Sequence, residues 1–196
     1  MPNASNVSTG KPRTAGAIFR APCGTALPTD AASELGEAFK ELGFVSDSGV
    51  SNANSGENTE FYAWGGTPVG EGETEKTDKW KFKLIEALNP EVLKTVYGET
   101  NVTVEGRNIS IKAGATDKTP ASYVIDMMMK GALKRVVLPI ATLTELAEIV
   151  YKDDETVGYE ATFSAKDAGE GFTHYEYIQL PEQTAAAAAS TGGDGA

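Results

Sequence analysis

One cysteine, one histidine and no long apolar run leave this 196-residue chain short of the residues that most site chemistry needs. Cys23, alone, cannot close an intrachain disulfide. With His174 the sole imidazole, no Cys/His zinc set can assemble, and a Cys23–His174 nucleophile pair has no local support. A lone histidine in a strand beside Tyr175 reads as a packing or surface residue. No segment approaches the ~18 apolar residues of a membrane-spanning helix, so no membrane insertion is expected. The opening MPNASNVSTGKPRTAG has no apolar signal-peptide core. The N-x-S/T sequons at Asn3, Asn6, Asn101 and Asn108 therefore read as chance matches in a chain made in a cytoplasm and left unprocessed.

Positive charge is scarce too. Lys and Arg total 17 against 28 Asp and Glu, for a net charge of −11 and a pI near 4.6. Such a chain repels phosphate polyanions and anionic membrane surfaces. That excludes capture of nucleic acid by charge, but not a role as a repelling wall beside it. The glycine-rich pieces Gly65–Gly66 and Gly70–Glu71–Gly72 lack the strand–loop–helix order of a phosphate loop and read as turns or bulges. Asp153, Asp154 and Glu155 lack the spacing of a calcium loop and read as a solvated turn. The expectation is a protein that is not an enzyme and carries no metal or cofactor.

What the chain does have is alternation. Residues 1–16 are small and polar, residues 17–181 carry the apolar pattern, and residues 182–196 form an Ala- and Gly-rich tail. The division is a flexible N-terminal arm, one β-rich domain and a low-complexity C-terminal tail. Ala17–Ala21 suits a strand. Asp30 as N-cap, then Leu35, Phe39 and Leu42 at helical spacing and Gly43 as the stop, predict a first helix. Asn89, Pro90 and Gly98 punctuate a second, with Val92, Leu93, Val96 and Tyr97 as its apolar stripe. In EGETEKTDKWKFKLIEAL, Trp80, Phe82 and Leu84 point inward while Lys79, Lys81 and Lys83 point out; Glu71, Glu73 and Glu75 continue the lysine parity with opposite charge. Ser122–Met129, broken by Asp126, and Lys134–Ile140, with Pro139 near its end, are nearly continuous apolar strands. The methionines Met127, Met128 and Met129 imply burial on both faces or an oligomer contact. Leu143, Ala147, Ile149 and Tyr151 pair in parity with Val157, Tyr159, Ala161, Phe163 and Ala165, predicting a long hairpin around KDDETVG. THYEYIQL is a last strand. About seven strands and two helices give a mainly β (α+β) class, a β-sandwich or barrel with one or two flanking helices.

Many strands with few residues that block edge pairing raise a question, because open edges aggregate unless they are paired. The stretches NASNVSTGKPRTAGAIFRAPCGTALPTDA, ELGFVSDSGVSNANS, ENTEFYAWGG, FKLIEALNPEVLKTVYGETNV, ALKRVVLPIATLTELAEIVYKDDETVGYEATFSA and THYEYIQL, in that order, resemble the major tail (tail tube) proteins of long-tailed, non-contractile bacteriophages. The resemblance covers roughly residues 3–180, without the immunoglobulin-like C-terminal domain of some relatives.

The resemblance implies a β-sandwich with a flanking helix. Six copies close into a ring, with inner hairpins joined into one ring-wide barrel, and rings stack into the hollow conduit for genome delivery. It implies a virion tail component, assembled in the host cytoplasm. A tape-measure protein and a tail terminator would be partners, and double-stranded DNA would pass without specific binding. By segment order, Glu71, Glu73, Glu75, Lys79, Lys81, Lys83, Lys152, Asp153, Asp154 and Glu155 fall near the inner wall. Asp47, Asn52, Asn54, Glu57, Glu60 and Trp64 fall on a loop, about Ser46–Gly66, at ring stacking. The acidic half of the Glu71–Lys83 face is expected to meet a basic half in the next copy. Trp80, Phe82, Leu84, Val157, Tyr159 and Phe163 are expected in the core. Alternatives are the tube of a phage-derived injection or secretion device, or a β-sandwich surface binder using Phe61, Tyr62 and Trp64.

Overall fold

The computed structural model describes residues 2, 4–13, 17–114 and 119–181, with the side chains of residues 5, 57–59 and 73–75 outside the description. The strands are β1 (Gly10–Pro12), β2 (Ile18–Pro22), β3 (Lys40–Glu41), β4 (Val45–Tyr62), β5 (Pro68–Leu84), β6 (Val102–Glu105), β7 (Asn108–Ile111), β8 (Ala121–Met129), β9 (Ala132–Leu146), β10 (Tyr159–Lys166) and β11 (Tyr175–Gln179); one α-helix, α1, spans Pro90–Tyr97. Nine strands form one antiparallel sheet in the order β3-β2-β8-β9-β10-β5-β4. β1 continues the line of β2 along β8, and β11 continues the line of β10 along β9. β6 and β7 make a separate hairpin.

The sheet curls on itself. β2 and β5 stand four places apart in it, yet Ile18 and Trp80 share one buried cluster with Tyr123, Val136 and Phe163. Phe163 lies at the centre of this core, its ring 4.9 Å from Phe82 and 4.8 Å from Tyr123. Helix α1 closes the cluster with Val92, Leu93 and Val96. Its punctuation is as the sequence predicts: Asn89 accepts from the Glu91 amide at 3.0 Å, Pro90 occupies the first turn, and Gly98 ends it. A smaller cluster of Ala21, Phe39, Val124 and Val137 packs beneath Phe19, Leu27 and Leu35. The result is mainly β, a β-sandwich with a flanking helix, as expected. Trp80, Phe82, Leu84, Tyr159 and Phe163 are buried; Val157 is half-buried.

Several local expectations are corrected. No helix forms after Asp30: residues 30–39 are irregular and lead into β3. Asp30 does cap, accepting from the amides of Ala32 and Ser33 at 2.7 and 2.6 Å, but the buried Arg135 guanidinium takes the Asp30 and Ser33 carbonyls at 3.2 and 2.9 Å. A helix would need those carbonyls for its own ladder. Leu35, Phe39 and Leu42 still face apolar clusters. Lys134–Ile140 and the segment after Leu143 are one strand, β9, with Pro139 beside the register shift against β8. β9 ends at Leu146, so residues 147–158 form an irregular connection and Tyr151 is exposed, not inward. The β6–β7 hairpin was not anticipated; its turn is set by Gly106 at φ 61°. His174 stands one residue before β11 rather than within a strand.

Candidate functional surface

The outstanding feature grows from β4 and β5. β10 pairs with β5 only from Asp78 to Leu84, whereas β4 pairs with it out to Tyr62↔Pro68. Residues 68–77 therefore have β4 along one edge and, among the described residues, no strand along the other. β4 is the last strand of the sheet, so among the described residues its outer edge is open as well. At ~3.3 Å per residue the hairpin reaches roughly 33 Å beyond the point where β10 stops. The segment expected as a stacking loop is thus mostly strand: Asp47, Asn52, Asn54, Glu57 and Glu60 lie on β4, and Trp64 in the turn. The turn is closed by the Ala63 amide on the Thr67 carbonyl at 2.8 Å, with Gly65 and Gly66 at φ 108° and 86°. Phe61, Tyr62, Trp64 and Val69 are exposed around it.

The charge pattern of the sequence maps onto the length of this hairpin. From Glu57 to Glu75 there are five glutamates and no lysine or arginine. The root carries Lys76, Lys79, Lys81 and Lys83. Glu60 and Glu71 are exposed; the side chains of Glu57, Glu73 and Glu75 lie outside the described residues.

At the root, β5 alternates as predicted, with Asp78, Trp80, Phe82 and Leu84 buried on the side of α1. On the opposite, polar face the register places Lys83 by Glu160, Lys81 by Thr162 and Lys79 by Ser164. Lys81 pairs with Glu160, which raises its pKa. Lys83 reaches Glu155 at 3.1 Å and Lys152 reaches the same carboxylate at 3.3 Å, holding Glu155 below the usual range. The structure thus brings Lys152 and Glu155 to the β5 root, while Asp153 and Asp154 are exposed beside them. Lys81 and Lys83 already have acidic partners within the chain.

Where the hairpin leaves the sheet, Asp78 is fully buried. It accepts from Asn52 Nδ2 at 2.6 Å, from Thr173 Oγ1 at 2.7 Å and lies 2.6 Å from His174 Nδ1. The His174 ring meets Trp80 edge-on at 5.3 Å. One carboxylate therefore joins β4, β5 and the segment before β11. Sequence reasoning missed this role of His174. The available signal was Asp78 itself, an acid on the apolar parity of Trp80, Phe82 and Leu84. The segment's loop is fixed by Asp167, whose Oδ1 accepts from the amides of Gly169, Glu170 and Gly171 at 2.8, 3.0 and 2.9 Å; these bonds lower its pKa. Cys23 is exposed.

A family model described as phage tail tube protein matches residues 3–189. No curated protein matches the chain.

Proposed function

The chain belongs to the phage tail tube protein family, and from that premise we propose that it is the tube subunit of a long-tailed, non-contractile bacteriophage, closing into hexameric rings that stack into the conduit for genome delivery. Its role is that of a structural subunit of the virion tail, oligomerising into a tube. The observation that carries the finer reading is the projecting β4–β5 hairpin with both outer edges open. Backbone donors and acceptors along such edges are satisfied by another strand, and an identical hairpin from a neighbour supplies one. Repeated around an axis, this pairing makes the hairpins into a continuous inner barrel.

The polar sheet face opposite α1 then faces the bore. Its Lys81 and Lys83 are neutralised by Glu160 and Glu155, which leaves Lys79, in no ion pair among the described residues, as the lysine of this β5 face free to meet DNA carrying about one charge per 1.7 Å of axis. A net charge of −11 per subunit favours sliding over binding. A tape-measure protein, a tail terminator and assembly in the host cytoplasm complete the proposal. The surface-binder alternative has less support, since Phe61, Tyr62 and Trp64 stand on a projecting tip rather than in a cleft.

Electron microscopy of concentrated purified protein tests the reading. Hollow filaments of six-fold rings are expected. A chain that stays single at every concentration, or a tube with a strongly basic lumen, refutes it.

A further inference from the structure

On the polar face of the sheet, opposite α1, the strands β4, β5, β10 and β9 line up in rows of register partners. One row is Ser51, Lys81, Thr162 and Glu145. Its lysine is already engaged: Lys81 pairs with Glu160, and Glu145 attracts it as well. The next row toward the tip is Ala53, Lys79, Ser164 and Thr142, with no carboxylate in it. Beyond that, Ser55 and Thr77 are partners, and Lys166 ends β10 on the same face as Ser164. A further step along the hairpin pairs Glu57 with Glu75, where the acidic stretch begins.

A narrow band of this face therefore carries lysines and hydroxyls, with acidic positions on either side of it. Lys79 and Lys166 are exposed and in no ion pair among the described residues. Lys166 lies two residues along β10 from Ser164, the register partner of Lys79, so the two lysines are diagonal neighbours roughly 7–8 Å apart at the backbone. The acids closest in the chain have other engagements. Asp167, the residue after Lys166, accepts from the amides of Gly169, Glu170 and Gly171. Glu170 accepts from the Tyr175 hydroxyl. Asp78 is buried on the opposite face, where Thr173 and His174 meet it.

Ammonium groups beside hydroxyls recognise phosphate oxygens and read no base. A lysine does so as a mobile point charge rather than as a fixed fork, which suits a contact that must form and break repeatedly. The band offers charge and hydrogen-bond donors but no aromatic anchor of the kind that a protein partner buries, which favours a nucleic acid over an acidic protein segment. We propose that Lys79 and Lys166, with Ser164 and Thr77 between them, touch the sugar–phosphate backbone of duplex DNA and form the one level of the wall that attracts it, the flanking acidic levels holding it off. This rests on the tube reading above, in which this face lines the bore.

The test loads open-ended tubes of full-length protein with a short fluorescent DNA duplex and measures what cosediments. Two lysine contacts from an engaged subunit predict a retention that falls about tenfold between about 50 and 200 mM salt. Tubes of Lys79→Gln/Lys166→Gln are expected to retain about tenfold less at the lower salt, and tubes of Lys79→Arg/Lys166→Arg as much as the parent. A second arm needs no variant: lysine acetylation of parent tubes is mapped by mass spectrometry with and without the duplex. Lys79 and Lys166 should react in empty tubes and be protected by DNA, while Lys112, next to β7 on the α1 side, should react equally in both. No retention by parent tubes, equal retention by the Gln variant, or lysines that are unreactive in empty tubes or unprotected by DNA overturn the band and leave the tube reading standing. A polyglutamate peptide that protects both lysines as well as the duplex does overturns the assignment to DNA in favour of an acidic protein chain. A failure of the unaltered protein to form tubes overturns the tube reading itself.

Discussion

His174 Nδ1 lies 2.6 Å from Asp78 Oδ2, and through that contact the segment before β11 is fastened to the root of a hairpin 96 residues earlier in the chain. Asp78 is fully buried and has two further donors, Asn52 and Thr173. A carboxylate taken out of water is tolerable only when its lone pairs are met. Asp78→Ala removes the acceptor shared by Asn52, Thr173 and His174 and is expected to cost about 3 kcal/mol. His174→Ala, which leaves Asn52 and Thr173 in place, is expected to cost about half that. Urea unfolding midpoints measure both. An Asp78→Ala protein as stable as the parent would show that this cluster does not hold the hairpin root.

Alkaline pH addresses a different part of the core. Burial pushes the Tyr123 hydroxyl up to about 12, although the Arg20 guanidinium beside it acts the other way, and burial likewise raises Tyr159 to about 12. In the unfolded chain these phenols ionise near the ordinary value of about 10. Below that pH both states are protonated and the stabilisation is complete. Above it the unfolded chain binds fewer protons than the folded one, so stability falls as pH rises through about 12. Spectrophotometric titration of phenolate should show two late tyrosines. Tyr123→Phe should remove one of them and flatten the alkaline loss of stability. If all tyrosines titrate together before unfolding, the assignment is wrong.

Gly43 tests a close approach that the sequence misreads as a helix stop. Its φ is 71°, and a Cβ there would fall 2.0 Å from the Glu86 carboxyl carbon. Glu86 cannot yield freely, because its oxygens accept from the Phe44 amide and from Asn89 Nδ2, each at 3.0 Å. Asn89 in turn caps α1. Gly43→Ala thus combines a left-handed backbone cost of about 1–2 kcal/mol with disturbance of a cap worth about 1 kcal/mol. A loss of about 2–3 kcal/mol in chemical denaturation is expected. A neutral result would mean the backbone at Gly43 relaxes to a different conformation.

The sequence was legible where one local signal decided the outcome. Asn89, Pro90 and Gly98 bound a helix whose own groups satisfy its ends, and the Trp80–Leu84 alternation reports a sheet with one buried face. It was illegible where a distant residue intervened. The Asp30 cap and the Leu35, Phe39, Leu42 spacing describe a helix until Arg135, 102 residues after Ser33, takes the carbonyls. That arginine is buried because Asp126 meets it with two bonds at 2.7 and 2.8 Å. Asp126 was visible as the break in an apolar run, but its partner was not. The candidate surface divides in the same way. The charge reversal along Glu71–Lys83 was plain in the sequence. That it runs from tip to root of one projecting hairpin depends on where β10 stops pairing, which no residue in β5 announces.

The same hairpin offers the sharpest separation of folding from assembly. Every described side chain from Ala53 to Val69 is exposed, and the buried clusters take nothing from that stretch. Ser55 and Thr77 are register partners with their hydroxyls 2.9 Å apart, so a two-residue Asn-Gly turn inserted between them would close the strands with the twist they already have. A chain in which residues 56–76 are replaced by that turn keeps Asn52, Asp78, Thr173 and His174 at the root. Its unfolding free energy should match the parent's within about 1 kcal/mol, because no apolar core area is removed. The projecting length of both open edges and the aromatic tip are gone, leaving only the short outer edge of β4 up to Ser55, so it should remain a single folded subunit at concentrations where the parent polymerises. Sedimentation velocity and thermal unfolding on the same sample decide the matter. Polymerisation of the shortened chain would assign assembly to another surface. Unfolding of it would show that the projecting strands support the sandwich from which they extend.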